Sequence, residues 1–123
     1  AKSGLGGTEY LLSGVFSEGS KRGLAPHRMA ELLSFNPARR YGLLSKGDIA
    51  VGCDADLALL DPDRRFVVRA AESPCNQGYT PFEGQELTGQ VTATFLRGAL
   101  AWENAAVVGA ARGRYVARPT SGR

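Results

Sequence analysis

Histidine is almost absent from this chain: of 123 residues only His27 carries an imidazole, and the cysteines are Cys53 and Cys75. A zinc site of histidines and cysteines needs about four ligands at short spacings, and these residues supply no such set. A Ser-His or Cys-His nucleophilic site would depend on that single histidine, and no serine sits in a G-x-S-x-G elbow. Two cysteines outside any C-x-x-C spacing make neither a disulfide framework nor a redox motif, so they read as reduced thiols. No apolar run approaches the ~18 residues of a membrane span. The first residues lack the charged-then-apolar pattern of a leader, so the expectation is a soluble, cytoplasmic protein without a membrane partner.

What is present is an ordinary globular composition. Hydrophobic residues make up 43% and charged residues 22%, close to the average for folded domains. The length fits one domain and falls well short of the ~250 residues of a full (β/α)₈ barrel. The net charge of +3 is mild, and Arg112, Arg114, Arg118 and Arg123 near the end carry much of it. No basic stripe with interleaved aromatics is present, so a nucleic-acid partner is not expected.

The first third reads as helical. Thr8 is placed to cap a helix whose Leu11, Leu12, Val15 and Phe16 recur at three- and four-residue spacing. Gly19 weakens its later part, and Lys21-Arg22-Gly23 is a stop signal. Pro26 suits the first turn of a second helix with Met29, Leu32 and Leu33 on its buried face. Asn36-Pro37 reads as the cap of a short third helix ending at Gly42. Beyond Gly42 the period becomes strand-like. Strands are expected at 48–51, 57–60 and 65–70, with Asp61-Pro62-Asp63 as a turn between the last two. Residues 71–89 read as a long loop. Residues 90–97 alternate, with Val91, Ala93 and Phe95 on one face, and Arg97-Gly98 turns into a hairpin partner at 99–102. A further short strand is expected at 114–117. Helices followed by strands give an α+β class, and four or five short strands leave sheet edges that need partners from elsewhere.

The chemistry-bearing candidates are few. Asp54, Asp56 and Asp61 lie close in sequence, but their spacing does not match a calcium loop, and carboxylates there bond turn amides more readily. The Gly4-Leu5-Gly6-Gly7 cluster before a helix could cradle an anion through its amides, though it lacks the Lys-Ser/Thr of a P-loop.

Three motifs in order carry a resemblance. They are Asn36-Pro37-Ala38-Arg39 with Gly42-Leu43, then Lys46-Gly47-x-Ile49-Ala50-Val51-Gly52-x-Asp54-Ala55-Asp56-Leu57 with Asp61-Pro62, then Thr80-Pro81-Phe82-Glu83-Gly84 leading to Gly89 and Arg97-Gly98. With Gly4-Leu5-Gly6-Gly7-Thr8-Glu9 before them, they resemble the C-terminal portion of a cyclic amidohydrolase, of the dihydroorotase, allantoinase and dihydropyrimidinase (hydantoinase) group. The resemblance implies the C-terminal helices of a (β/α)₈ amidohydrolase barrel followed by short strands of the composite β-sandwich domain. Residues 1–45 would be the last barrel loop and helices, 46–110 the sandwich strands and 111–123 a basic tail.

It further implies hydrolysis of a cyclic amide or ureide by water activated on a divalent metal pair, usually zinc. The ligands that such enzymes use (an HxH pair, a carboxylated lysine, two further histidines and an aspartate) match no position here. The segment is therefore expected to be inactive and metal-free alone, to pair with an N-terminal barrel portion, and to belong to a homo-oligomer at full length. Only Gly4 and Gly7 are carried over, as residues whose backbone contacts the substrate ring. The alternative is a free-standing non-catalytic α+β module that stabilises or regulates an amidohydrolase partner.

Overall fold

The computed structural model describes residues 6–118. Thr8–Tyr10 forms a 3₁₀ turn that runs directly into helix α1, Leu11–Lys21. Thr8 does not cap this helix; it lies inside the 3₁₀ turn, and no side chain bonds the helix start. The chain enters instead through Gly7, whose carbonyl accepts the Tyr10 N–H at 3.0 Å. At the other end the stop signal holds. Leu24 N–H reaches back to the Gly19 carbonyl at 2.8 Å and Gly23 N–H to that of Ser20 at 3.1 Å, the paired bonds of a glycine-terminated helix.

The second and third expected helices form one continuous run. Segment α2, Pro26–Ala30, passes through a π turn at Glu31–Phe35 into α3, Asn36–Tyr41. Asn36 is therefore not a cap: it has helical angles, and its N–H bonds the Glu31 carbonyl five residues back. Pro37 has no N–H to return and its ring crowds the preceding turn, and the wider π turn accommodates it without breaking the helix. Gly42 ends the run in the left-handed region, with Leu43 N–H bonded to the Ala38 carbonyl at 2.8 Å. Met29 is buried as expected, whereas Leu32 is exposed.

The sheet is a four-stranded antiparallel meander in the order β1-β2-β3-β4. Its strands are β1 Leu57–Val67, β2 Glu86–Leu96, β3 Ala99–Glu103 and β4 Ala106–Val107. Residues 48–51 form no strand; they belong to an exposed loop with Ile49 and Val51 in solvent. Asp61-Pro62-Asp63 does turn locally, with Asp61 Oδ1 accepting the Asp63 N–H at 3.0 Å. The result is a register shift within one strand rather than a break, because β2 pairs with β1 on both sides of it. Arg97 and Gly98, at φ 49 and 76, make the expected hairpin turn. A second such turn at Asn104 and Ala105, φ 50 and 61, adds β4, where no strand was expected. Residues 114–117 form no strand.

Helix α1 lies on β2. Its most buried residues are Ser13 and Ser17 rather than its leucines, and Ser17 Oγ accepts the Thr88 N–H of β2 at 3.1 Å. Gly19, expected to weaken the helix, gives Met29 its place: a β-carbon there would stand 2.9 Å from the Met29 methyl. Among the described residues the buried hydrophobic side chains are few: Met29, Ala38, Val68, Leu87 and Ala93. Among the described residues no helix is long and apolar enough to cross a membrane.

Candidate functional site: a clamped glycine loop

Gly4 lies outside the described residues. Gly7 is described, and it sits at the entry to the 3₁₀ turn with φ 131, a backbone conformation that only glycine adopts readily. Its surroundings come from the far end of the chain. A β-carbon on Gly7 would lie 3.0 Å from the Phe82 ring and 3.3 Å from Thr80 Oγ1. On Gly6 it would lie 2.7 Å from the Tyr79 carbonyl oxygen. Both glycines are thus required by close approach of the 79–82 backbone and ring.

Thr80 is buried and joins the two segments. Its hydroxyl donates to the Gly6 carbonyl at 3.3 Å and accepts the Phe82 N–H at 3.4 Å. The Tyr10 and Phe82 rings meet edge to face, with centroids 6.3 Å apart. The 80–84 turn is fixed from behind. Glu83 Oε2 accepts the Ala70 N–H at 2.6 Å, and Gly84 N–H bonds the carbonyl of Val68 at 2.9 Å. Burial pushes the Tyr10 phenol above its ordinary range, and the nearby Glu9 and Glu83 carboxylates reinforce that, so its hydroxyl stays protonated. An apolar cavity of about 450 Å³ opens beside this loop, between Tyr10, Leu11 and Val15 of the helical side and Phe82 and Leu87 of the sheet side.

The aspartates lie elsewhere and hold a lysine. Lys46 Nζ sits 2.8 Å from Asp54 Oδ2 and bonds Asp56 Oδ2 as well. Asp56 Oδ1 accepts the Arg97 N–H of the β2–β3 turn at 2.8 Å, and the Ala55 carbonyl accepts that of Gly98 at 2.9 Å. The hydrogen bond from Lys46 is the main cause holding the Asp56 carboxyl below its usual range, with the Arg97 N–H adding to it. The two aspartates raise the Lys46 ammonium in turn. This is a staple between the 45–56 loop and a hairpin turn, and it accounts for both carboxylates. Asp61 is occupied by its own turn. His27 is exposed in the first turn of α2. Among the described residues no three His, Cys, Asp or Glu side chains come together as a metal site. The donors present therefore do not fit the divalent ion pair that the resemblance implies.

Sequence reasoning singled out Gly7 but missed Thr80 and Phe82 as its partners and Lys46 as the partner of the aspartates. The opposite charges bracketing 46–56 were a usable signal for the second. No local signal linked Thr80 to Gly6, 74 residues away.

The model of the amidohydrolase family matches residues 7–101. The chain belongs to the amidohydrolase family. It is 43% identical over 117 residues to the allantoinase of Rubrobacter xylanophilus, a match that covers 94% of this chain and 26% of that protein. It is 39% identical over 119 residues to the allantoinase of Deinococcus radiodurans, covering 96% and 26%. In structure it is similar to the dihydropyrimidinase of Brevibacillus agri, with a TM-score of 0.83 at 36% identity over 91% of this chain and 25% of that one. The chain thus spans about a quarter of the length of the relatives it matches. The part matched as amidohydrolase begins at the glycine held under Phe82 and ends inside β3, so it contains the Lys46 staple and the Gly7–Phe82 side of the clamp, with Gly6 one residue before it.

Proposed function

We propose that this chain is the C-terminal part of a metal-dependent hydrolase that opens cyclic amide rings, of the dihydroorotase or allantoinase type, and that it contributes no metal ligand. The observation that carries the reading is the allantoinase match, which takes in 94% of this chain but 26% of the relative. Such a chain can hold a recognisable portion of the enzyme without its reaction centre. The donor chemistry agrees with this division, because Asp54 and Asp56 are bound to Lys46 and His27 stands alone. The ion pair and the water it activates belong to residues outside these 123.

The chain's own contribution is the glycine loop. Backbone groups at Gly4 and Gly7 contact the substrate ring, and Thr80 and Phe82 hold the loop in place. A backbone contact suits a flat ring bearing amide N–H and C=O groups, since peptide groups offer the complementary donors and acceptors at fixed spacing.

The test compares the complete open reading frame with the 123-residue chain, both supplied with zinc. Ring opening of allantoin, dihydroorotate and hydantoin is followed together with bound metal. The complete protein is expected to open at least one ring, and the chain alone to show neither turnover nor stoichiometric zinc. Turnover by the isolated chain would overturn the reading. So would a complete reading frame that begins just upstream of Ala1, which would favour a free-standing module that regulates an amidohydrolase partner.

A further inference from the structure

We propose that Thr80 is a positioning residue for substrate, acting through the carbonyl of Gly6, and that the 80–84 turn sets how well the glycine loop receives the ring. This inference rests on the reading above that the loop faces a cyclic amide. A loop of glycines has no side chains with which to hold itself. Its position is fixed by what it packs against, and here that is the 77–82 segment, with Gln77 and Tyr79 against Gly6 and Thr80 and Phe82 against Gly7.

Thr80 supplies the directional part of that contact. It is buried, so its hydroxyl meets little competing water, and it both donates to Gly6 and accepts from Phe82. Loss of the hydroxyl leaves a buried carbonyl and a partly buried N–H without this partner, which favours displacement of the loop. Phe82 supplies the steric part by covering Gly7. The turn itself is held to the end of the sheet by Glu83 and Gly84, next to the fully buried Val68. The support is thus tied by hydrogen bonds to the sheet, and through Thr80 it holds a loop without side chains of its own.

Valine matches threonine in shape but has no hydroxyl, and serine keeps the hydroxyl with less bulk. Thr80→Val and Thr80→Ser in the complete protein separate the hydrogen bond from packing. Positioning of a ring-binding loop affects bound substrate and transition state alike, so it acts on KM. In Thr80→Val, KM is expected to rise about tenfold with kcat within about twofold, on the scale of one lost buried hydrogen bond. Thr80→Ser is expected to restore KM to within about twofold of the parent by keeping that bond. Phe82→Leu, which thins the cover over Gly7, is expected to shift KM in the same direction as Thr80→Val.

Amide hydrogen exchange at Gly7 and Thr8 supplies the readout that does not depend on turnover. It is expected to quicken in Thr80→Val and not in Thr80→Ser. Unchanged exchange in Thr80→Val overturns the clamp whatever the activity. A parent protein that opens no cyclic amide overturns the functional reading instead, and the exchange data then still decide whether Thr80 holds the loop. An active parent whose Thr80→Val variant loses kcat at constant KM overturns the positioning role.

Discussion

Phe16 occupies the space that any side chain at position 89 would need: a β-carbon on Gly89 would lie 2.3 Å from Phe16 Cδ1. Gly89 also has φ 93, so helix α1 can lie this close to β2 only because the strand carries a glycine there. Gly89→Ala is expected to destabilise the chain by about 2–4 kcal/mol, combining overpacking with left-handed backbone strain. Chemical denaturation measures this. Adding Phe16→Ala should recover part of the loss, and strict additivity of the two changes would refute the contact as its source.

Ser17 makes the polar counterpart of that contact. Its side chain is only 1% exposed, and Oγ accepts the Thr88 N–H one position before Gly89. Ser17→Ala removes little volume but leaves a partly buried amide without an acceptor, at a cost of about 1–2 kcal/mol. Ser13→Ala, at a position also buried but with no such bond to β2 described, serves as the comparison. If the two substitutions cost the same in denaturation, the helix-to-strand bond is not what Ser17 contributes.

How much of this was legible in the sequence depends on the range of the interaction. Gly23, Gly42 and Arg97-Gly98 announced two helix ends and a hairpin correctly, because each signal is complete within a few residues. Asn36 was misread as a cap, since a helix start and a π turn running into a helix look alike until the hydrogen bonds are known, whereas Pro37 stands in the first turn of α3 as expected. Asp61-Pro62-Asp63 looked like the end of a strand, but β2, some thirty residues later by the pairing of Asp61 with Gln90, carries pairing across it. Residues 48–51 have strand composition and no partner, so they remain a loop. At the site, Gly7 stood out as part of a glycine cluster before a helix and, through resemblance, as a ring contact, but the residues that clamp it are remote in sequence.

The Lys46 staple predicts how stability responds to pH. Asp56 has its carboxyl pKa depressed in the folded chain, chiefly by Lys46. Its contribution is present above the unfolded carboxylate value of about 3.9 and is lost as pH falls through the lower folded value. Lys46 has its pKa raised. Its contribution is present below about 10.4 and is lost as pH rises through the higher folded value. The staple is therefore fully formed between roughly pH 4 and pH 10 and weakens at both extremes. Lys46→Met is expected to cost about 1 kcal/mol at neutral pH, and to flatten both limbs of a stability-versus-pH curve. Limbs of unchanged steepness would show that other groups set them.

Surface area predicts the behaviour of the chain in solution. It exposes 9140 Å², whereas a compact monomer of 13.0 kDa exposes about 6,300 Å². The excess of about 2,800 Å² is larger than the roughly 800 Å² that each partner buries in a standard protein interface. Part of it is apolar, including Leu44, Ile49, Val51, Leu59 and Val107. Strand β1 also lies at the edge of the sheet, with Leu59 and Val67 exposed on it, and unpaired edges with apolar side chains promote association. Sedimentation velocity on the 123-residue chain is expected to show association that grows with concentration. Leu59→Lys should reduce it by placing a charge on the edge strand. A monomer at all concentrations, unfolding in one sharp transition, would mean that these surfaces need no cover, and it would weigh directly against the proposal that the chain completes a larger enzyme.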